Sequence, residues 1–175
     1  MIINHTSPSL INKVTSSHSS LFRGALFFSD DVYIMTSSNE VHLYQVELQE
    51  NEIIDFDDLI PSENVLDQLK LDVSCLFDLE IDDETASDLL LSNDYDEQLE
   101  IISNLLEEDN RDLFDIGYEY IGELSWNIQG LQALCAREMG FLACESQDEQ
   151  GTVYALNLVD LESRLIYKGQ LNNDA

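Results

Sequence analysis

Polar residues that could carry out chemistry stand at the ends of three predicted strands. His5 closes the first strand, Tyr33 follows an apolar strand, and Asp148 and Glu149 lie in an acidic turn that opens a late strand. A histidine can hydrogen-bond a ligand, an aromatic ring can stack on one, and a carboxylate can stabilise a developing positive charge. Each residue alone is more typical of packing or of an ordinary turn, so a site exists only if the fold brings the three together.

Motifs of the commoner enzyme classes are absent from the sequence. There is no phosphate-binding glycine loop, no HExxH zinc helix and no GxSxG nucleophile turn. The three histidines, His5, His18 and His42, have no metal-ligand spacing with one another or with a cysteine. Cys135 and Cys144 fall in an apolar helix and a strand, which is typical of small buried hydrophobic residues. We therefore predict no bound metal.

The composition is that of a very acidic globular protein. The 175 residues include 36 Asp and Glu against 7 Lys and Arg, a formal net charge of −29, while hydrophobic residues make up 44%. This length predicts about one domain with a substantial core, and the scarcity of positive charge excludes direct binding of nucleic acid. No apolar run approaches the roughly 18 residues of a membrane span, and the first residues lack the basic region of a signal peptide. Three cysteines without a CxxC pair indicate a reduced chain.

Most of the negative charge lies in one acidic segment, residues 50–115, which has 23 acidic and 2 basic residues. Ser62, Asp82 and Asp94 each precede an apolar pattern at helical spacing, and Glu97 stands three residues after Asp94 as in a capping box. We expect two or three amphipathic helices with anionic outer faces. Two interpretations stay open: a solvated face that keeps the protein soluble, or a surface that docks on a basic partner.

The sequences on either side of the acidic segment predict strands and one long helix. Strand patterns occur at 2–5, 24–28 and 41–48, with 53–55 beside the third strand, and again at 141–144, 152–158 and 164–167. The long helix is predicted at 122–140, with Leu124, Ile128 and Leu131 on one stripe and Gly140 at its C-terminal end. Strands from both ends of the chain with helices between them indicate an α+β fold.

A resemblance to a known family is carried by four blocks of sequence: HTSP at 5–8, LFFSDDVYIMT at 26–36, ELSWNIQ at 123–129 and QDEQGTVY at 147–154. In this order the blocks resemble the diphtheria-toxin-like ADP-ribosyltransferases, which use a His–Tyr–acid triad on a split sheet. The sequence is more closely similar to type I-F anti-CRISPR proteins that act as ADP-ribosyltransferases. The resemblance covers roughly 1–54 and 119–160. It implies a single domain over 1–175, with a small split mixed or antiparallel β-sheet and an acidic helical insertion at about 56–118.

The resemblance also implies a co-substrate, NAD+, and a role for each member of the triad. Breaking the bond between nicotinamide and ribose develops an oxocarbenium-like cation, which a carboxylate held against the ribose stabilises. Asp148 or Glu149 has this role, and the sequence does not decide between them. Tyr33 is implied to stack on the nicotinamide, His5 to hydrogen-bond the other ribose, and the backbone at Thr6 to hold the carboxamide.

Further residues are predicted to border the dinucleotide. Ser7 and Phe28 belong to the matching blocks, and Trp126 could border the site, although a core role for this tryptophan is equally open. Arg23 is the candidate for the dinucleotide phosphates, chosen because positive residues are scarce in the chain.

The implied target is the type I-F CRISPR surveillance complex, on the large subunit that reads the PAM, with an asparagine as acceptor. A bulky anionic ADP-ribose there would block the approach of target DNA. The acidic segment would dock on the basic DNA-binding surface of the complex. The alternative is a non-enzymatic DNA mimic that occludes a basic groove. Either function places the protein in the cytoplasm of a bacterial host, encoded by a phage or another mobile element, without contact with membrane or nucleic acid.

Overall fold

The computed structural model describes residues 1–15, 23–34, 40–92, 94–148 and 151–172. His18, Met35, Thr36 and Glu149, which the sequence analysis names, lie outside these residues. Within the described residues, seven strands form one sheet in the order β4-β5-β6-β2-β1-β3-β7. Their bounds are β1 Ile2–Ser7, β2 Ala25–Ser29, β3 Glu40–Glu47, β4 Ile53–Asp55, β5 Ala143–Asp148, β6 Gly151–Asn157 and β7 Ile166–Asn172.

The sheet is mixed because one of its pairs is parallel. β4 runs parallel to β5, and the other neighbouring strands run antiparallel. The prediction that 53–55 lies beside the third strand is therefore wrong. A parallel partner needs a long crossover, and here the helices between β4 and β5 provide it. The backbone N–H of Leu142 donates to the carbonyl of Glu52 over 2.8 Å at the start of this pairing.

In the described part of the chain, five α-helices follow β4 and complete the predicted α+β fold. They are α1 Glu63–Phe77, α2 Asp83–Leu90, α3 Tyr95–Glu108, α4 Leu113–Ile116 and α5 Glu119–Glu138. The predicted N-caps Ser62, Asp82 and Asp94 are confirmed, since each side chain accepts a backbone N–H of the first turn. The capping-box pairing of Glu97 differs from the prediction, because its carboxylate accepts from the Ser92 hydroxyl at 2.9 Å.

The long helix α5 packs between the acidic helices, α1 to α3, and the sheet. Leu124, Ile128 and Leu131 are fully buried in a core shared with α1, α2 and α3. Gly140 has a φ of +94° just beyond the helix, as a C-terminal glycine requires. Through this packing α5 holds Trp126 beside β2. Within the described part of the chain, the helices are too short or too polar to cross a membrane.

Candidate active site

The sheet opens between β1 and β2. β1 pairs with β3 along six residues, whereas its pairing with β2 consists of Asn4 opposite Ser29. Beyond this pair the two strands separate, and the chain after β2 continues as residues 30–33, which we call the β2 extension. We call the opening the split. It corresponds to the split sheet that the resemblance implies.

A cavity of about 850 Å³ occupies the split. Its walls are the end of β1, all of β2, the β2 extension, Trp126 of α5 and the start of β6 at 151–153. This volume lies within the range of sites for small molecules and cofactors. The structure therefore brings His5, Thr6, Ser7, Phe28, Tyr33 and Trp126 together around one cavity, although they come from distant parts of the sequence.

Side chains of β1 cross the split in place of a backbone ladder. The amide nitrogen of Asn4 donates to the carbonyl of Asp30 at 2.7 Å, and the hydroxyl of Thr6 donates to the carbonyl of Tyr33 at 2.6 Å. Between them, Nδ1 of His5 bonds the carbonyl of Phe27 at 2.8 Å. Three consecutive residues of β1 thus hold β2 and its extension from the opposite side of the cavity.

His5 is held as a neutral hydrogen-bond acceptor. Burial lowers the pKa of His5 below its ordinary value, while the bond to the Phe27 carbonyl raises the pKa by a smaller amount. Since a carbonyl only accepts, Nδ1 carries the ring proton and Nε2 carries the lone pair. The ring also packs against Phe28, with 5.3 Å between the ring centroids. A ligand hydroxyl is the natural partner of such a nitrogen.

Aromatic residues supply the apolar part of the cavity. Trp126 meets Phe27 edge to face, with 5.5 Å between the ring centroids. Tyr33 is 46% exposed at the end of the β2 extension. Phe28 is buried, and so contributes to the core as well as to the wall. An aromatic surface of this kind can stack on a planar heterocycle.

The end of β5 lies next to the wall of the cavity. Asp148 ends β5 and pairs with Gly151 of β6, which lines the cavity. The preceding Gln147 donates from its amide to the hydroxyl of Thr152 at 2.9 Å, and Thr152 also lines the cavity. The backbone of Asp148 therefore stands next to the cavity wall, and Glu149 lies outside the described residues.

Arg23 does not line the cavity. Its side chain is buried, forms an ion pair with Asp72 of α1, and donates to the amide oxygen of Gln68 at 2.8 Å. The assignment of Arg23 to the dinucleotide phosphates is thus corrected: its guanidinium joins the start of β2 to the acidic helices. Sequence reasoning could not foresee this, because the partner carboxylate is 49 residues away.

Several residues of the wall were not singled out from the sequence. Phe27, Asp30 and Asp31 line the cavity, and so does Asn4, whose side chain is almost completely buried. Strand alternation gave no signal for Phe27, because side chains of neighbouring strand residues such as Phe27 and Phe28 point to opposite faces of the sheet. All seven Lys and Arg residues of the chain lie in its described part, and none of them lines the cavity.

Comparison with known proteins places the chain in a family. No curated protein gives a significant match. A solved structure described as the crystal structure of an anti-CRISPR protein is 17% identical to the chain, with a TM-score of 0.43, over 89% of this chain and 88% of that one. The family model described as "Anti-CRISPR Type I-F ADP-ribosyltransferase AcrIF11" matches residues 4–162. Since this match spans most of the sequence, the chain belongs to the family of type I-F anti-CRISPR ADP-ribosyltransferases.

Proposed function

We propose that the protein transfers ADP-ribose from NAD+ to an asparagine on the large, PAM-reading subunit of the type I-F surveillance complex. The observation that carries the proposal is the cavity in the split, which is bordered by a neutral histidine, an exposed tyrosine and Gly151, the residue that pairs with Asp148 at the end of β5. These groups match the three needs of the reaction: an acceptor for a ribose hydroxyl, an aromatic surface for nicotinamide, and a carboxylate.

The roles of the residues follow from their chemistry. Nε2 of His5 accepts a hydrogen bond from a ribose hydroxyl, because Nδ1 is already used by the Phe27 carbonyl. Tyr33 stacks on the nicotinamide ring, with Trp126 and Phe27 closing the aromatic side of the cavity. Asp148 or Glu149, at the turn between β5 and β6, supplies the carboxylate. Ser7, Thr6 and Phe28 complete the wall.

The reaction breaks one bond and forms another at the same carbon. The bond between the nicotinamide nitrogen and C1′ of the ribose breaks, and neutral nicotinamide leaves with the electron pair. Positive charge develops on the ribose, where the carboxylate stabilises it. The amide nitrogen of the acceptor asparagine then bonds to C1′ and loses a proton. The products are an ADP-ribosylated protein, nicotinamide and H+.

The acidic helices are proposed to dock on the basic DNA-binding surface of the complex. α1, α2 and α3 have no basic residue in their last turns, and α3 ends with Glu107 and Glu108. Acidic groups at a helix C-terminus oppose the helix dipole and therefore cost stability. Because these acidic residues lower stability, their presence supports a role in association. There they would steer the protein to a positively charged partner.

Mass spectrometry of the surveillance complex, after incubation with the protein and NAD+, tests the proposal. We expect one added ADP-ribose on an asparagine of the large subunit. At NAD+ concentrations below KM, His5→Ala and Tyr33→Ala should lower the rate of modification by about 100-fold. The matched controls are His42→Ala and Tyr167→Ala, since these side chains contact each other on β3 and β7, away from the cavity. Absence of any modification, with full inhibition of DNA binding, would contradict the enzyme mechanism.

The alternative, a DNA mimic without chemistry, rests on the same acidic helices. A mimic inhibits the complex stoichiometrically and without NAD+, and the His5 and Tyr33 variants then keep full inhibition. Inhibition by a tenth of an equivalent of protein, dependent on added NAD+, would exclude this alternative.

A further inference from the structure

The β2 extension has little backbone support on the side that faces β1. The register between β1 and β2 is the single pair Asn4–Ser29, so residues 30–33 follow the last point of pairing between these two strands. An extension of this kind loses the hydrogen-bond ladder that fixes an ordinary strand. Yet it lines the cavity and carries Tyr33 at its end.

Asn4 supplies the missing support at the start of the extension. Its amide nitrogen donates to the carbonyl of Asp30 at 2.7 Å and more weakly to that of Ser29 at 3.4 Å. Its amide oxygen accepts from the amide of Gln45 on β3 at 3.0 Å, which fixes the orientation of the Asn4 amide. Because Asn4 as a residue is only 9% exposed, water competes poorly for these bonds.

Thr6 supplies the support at the other end. Its hydroxyl donates to the carbonyl of Tyr33 at 2.6 Å. Asn4 and Thr6 lie on the same strand, two residues apart, and therefore point to the same side of the pleat. Together they hold the first and last residues of the β2 extension at a set distance from β1.

We infer that Asn4, together with the Thr6 hydroxyl, is a positioning residue for NAD+ that fixes the place of Tyr33 in the wall of the cavity that His5 also lines. The inference rests on the proposed function, in which the cavity binds NAD+. Loss of these two bonds removes two contacts between the extension and β1, so more of the extension's freedom must be lost when the ligand binds, and this weakens binding. Tyr33 contacts the ground state and the transition state alike, so the loss falls on KM rather than on kcat.

Kinetics of four variants with NAD+ and the surveillance complex test the inference. Asn4→Asp keeps the shape of the side chain but removes both donors, and Thr6→Val removes the hydroxyl while keeping the bulk. We expect each to raise the KM for NAD+ by about tenfold and to change kcat by less than about twofold. Thr6→Ser keeps the hydroxyl and should restore most of the affinity. Gln170→Glu is the matched amide-to-acid control, because this amide donates to Glu40 at 2.6 Å outside the cavity.

Hydrogen–deuterium exchange separates this inference from the proposed function. Faster exchange of the amides at 29–33 in Asn4→Asp and Thr6→Val, without added NAD+, is expected whether or not the protein binds NAD+. If wild-type protein takes up no NAD+, the proposed function fails, and exchange alone then decides the positioning role. If both variants keep wild-type exchange and wild-type KM, the inference is overturned. If Asn4→Asp does not fold, the result for Thr6→Val tests the inference, because the Thr6 hydroxyl that this variant removes forms an exposed hydrogen bond.

Discussion

The Nδ1–H of His5 donates to the carbonyl oxygen of Phe27 over 2.8 Å, across a point where β1 and β2 no longer pair through their backbones. This side-chain hydrogen bond takes the place of a backbone hydrogen bond between the two strands. It also requires the ring proton to be on Nδ1. The result is a half-buried neutral imidazole whose second nitrogen can only accept. This one hydrogen bond therefore spans the opening of the sheet and also sets the tautomer of the histidine.

Protonation of His5 should cost stability as the pH falls. Burial lowers the pKa of His5 in the folded protein, so between its ordinary pKa and the folded pKa the unfolded chain binds more protons. The contribution of the neutral ring to stability is then complete above about pH 6.5 and is lost as the pH falls below that value. We expect the melting temperature of wild type to exceed that of His5→Gln by more at pH 7 than at pH 5.

The comparison with His5→Gln is necessary because 36 acidic residues also titrate and change the stability of the whole protein. Only the difference between the two proteins isolates the imidazole. Differential scanning calorimetry at several pH values measures this difference. A constant difference across this range would show that burial of His5 does not couple its protonation to folding.

Removing one partner of the buried ion pair between Arg23 and Asp72 should destabilise the protein. Both residues are almost inaccessible, with 4% and 6% exposure, so removing Arg23 takes a counter-charge away from a buried carboxylate. We expect Arg23→Met to lower the free energy of unfolding by about 3 kcal/mol, measured by urea denaturation. The KM for NAD+ should not change, because Arg23 lies outside the cavity.

Lys70→Met is the matched control for this prediction. Lys70 contacts Asp67 and Asp83 in an exposed ion pair, where water stabilises the carboxylates that remain. Its effect on the free energy of unfolding should be much smaller than that of Arg23→Met. Equal losses in the two variants would contradict the importance that we give to burial.

The sequence predicted the parts of this fold that local chemistry determines. Helix starts at Ser62 and Asp82 could be read because a capping side chain and an apolar spacing lie within one turn of each other. The strand that pairs with β4 and the carboxylate that pairs with Arg23 could not be predicted, because each is contributed by an element far away in the sequence. The split itself leaves no local signal, since β1 and β2 both have ordinary strand patterns. For the site, therefore, the sequence predicted the types and the order of the candidate residues. It did not predict the hydrogen bonds by which Asn4 supports the β2 extension.

The acidic end of α3 should be a source of instability. Glu108 is the last residue of α3, where its charge opposes the dipole, whereas Glu63 is the first residue of α1, where the charge is favourable. We expect Glu108→Gln to raise the free energy of unfolding by roughly 0.5 kcal/mol and Glu63→Gln not to raise it. Both variants remove one charge from the acidic segment, so equal increases in the free energy of unfolding would point to general repulsion instead.

Under the proposed docking, each of the variants Glu108→Gln and Glu63→Gln should also slow association with the surveillance complex, as stopped-flow measurements would detect.

Recognition of NAD+ should not depend on attraction between charges. No Lys or Arg lines the cavity, all seven lying in the described residues, while Asp30 and Asp31 do line it. Under the proposed function, neutral donors would hold the diphosphate of NAD+, and an additional 2′-phosphate would meet only repulsion. We expect NADP+ to bind at least about tenfold more weakly than NAD+. The double variant Asp30→Asn, Asp31→Asn should reduce this difference in affinity.

Raising NaCl from about 50 to 500 mM should not weaken NAD+ binding in calorimetry, although it should weaken docking on the complex. A steep loss of NAD+ affinity with salt would mean that a cation reaches the diphosphate, and Lys13 or Lys168 would be the first residues to replace.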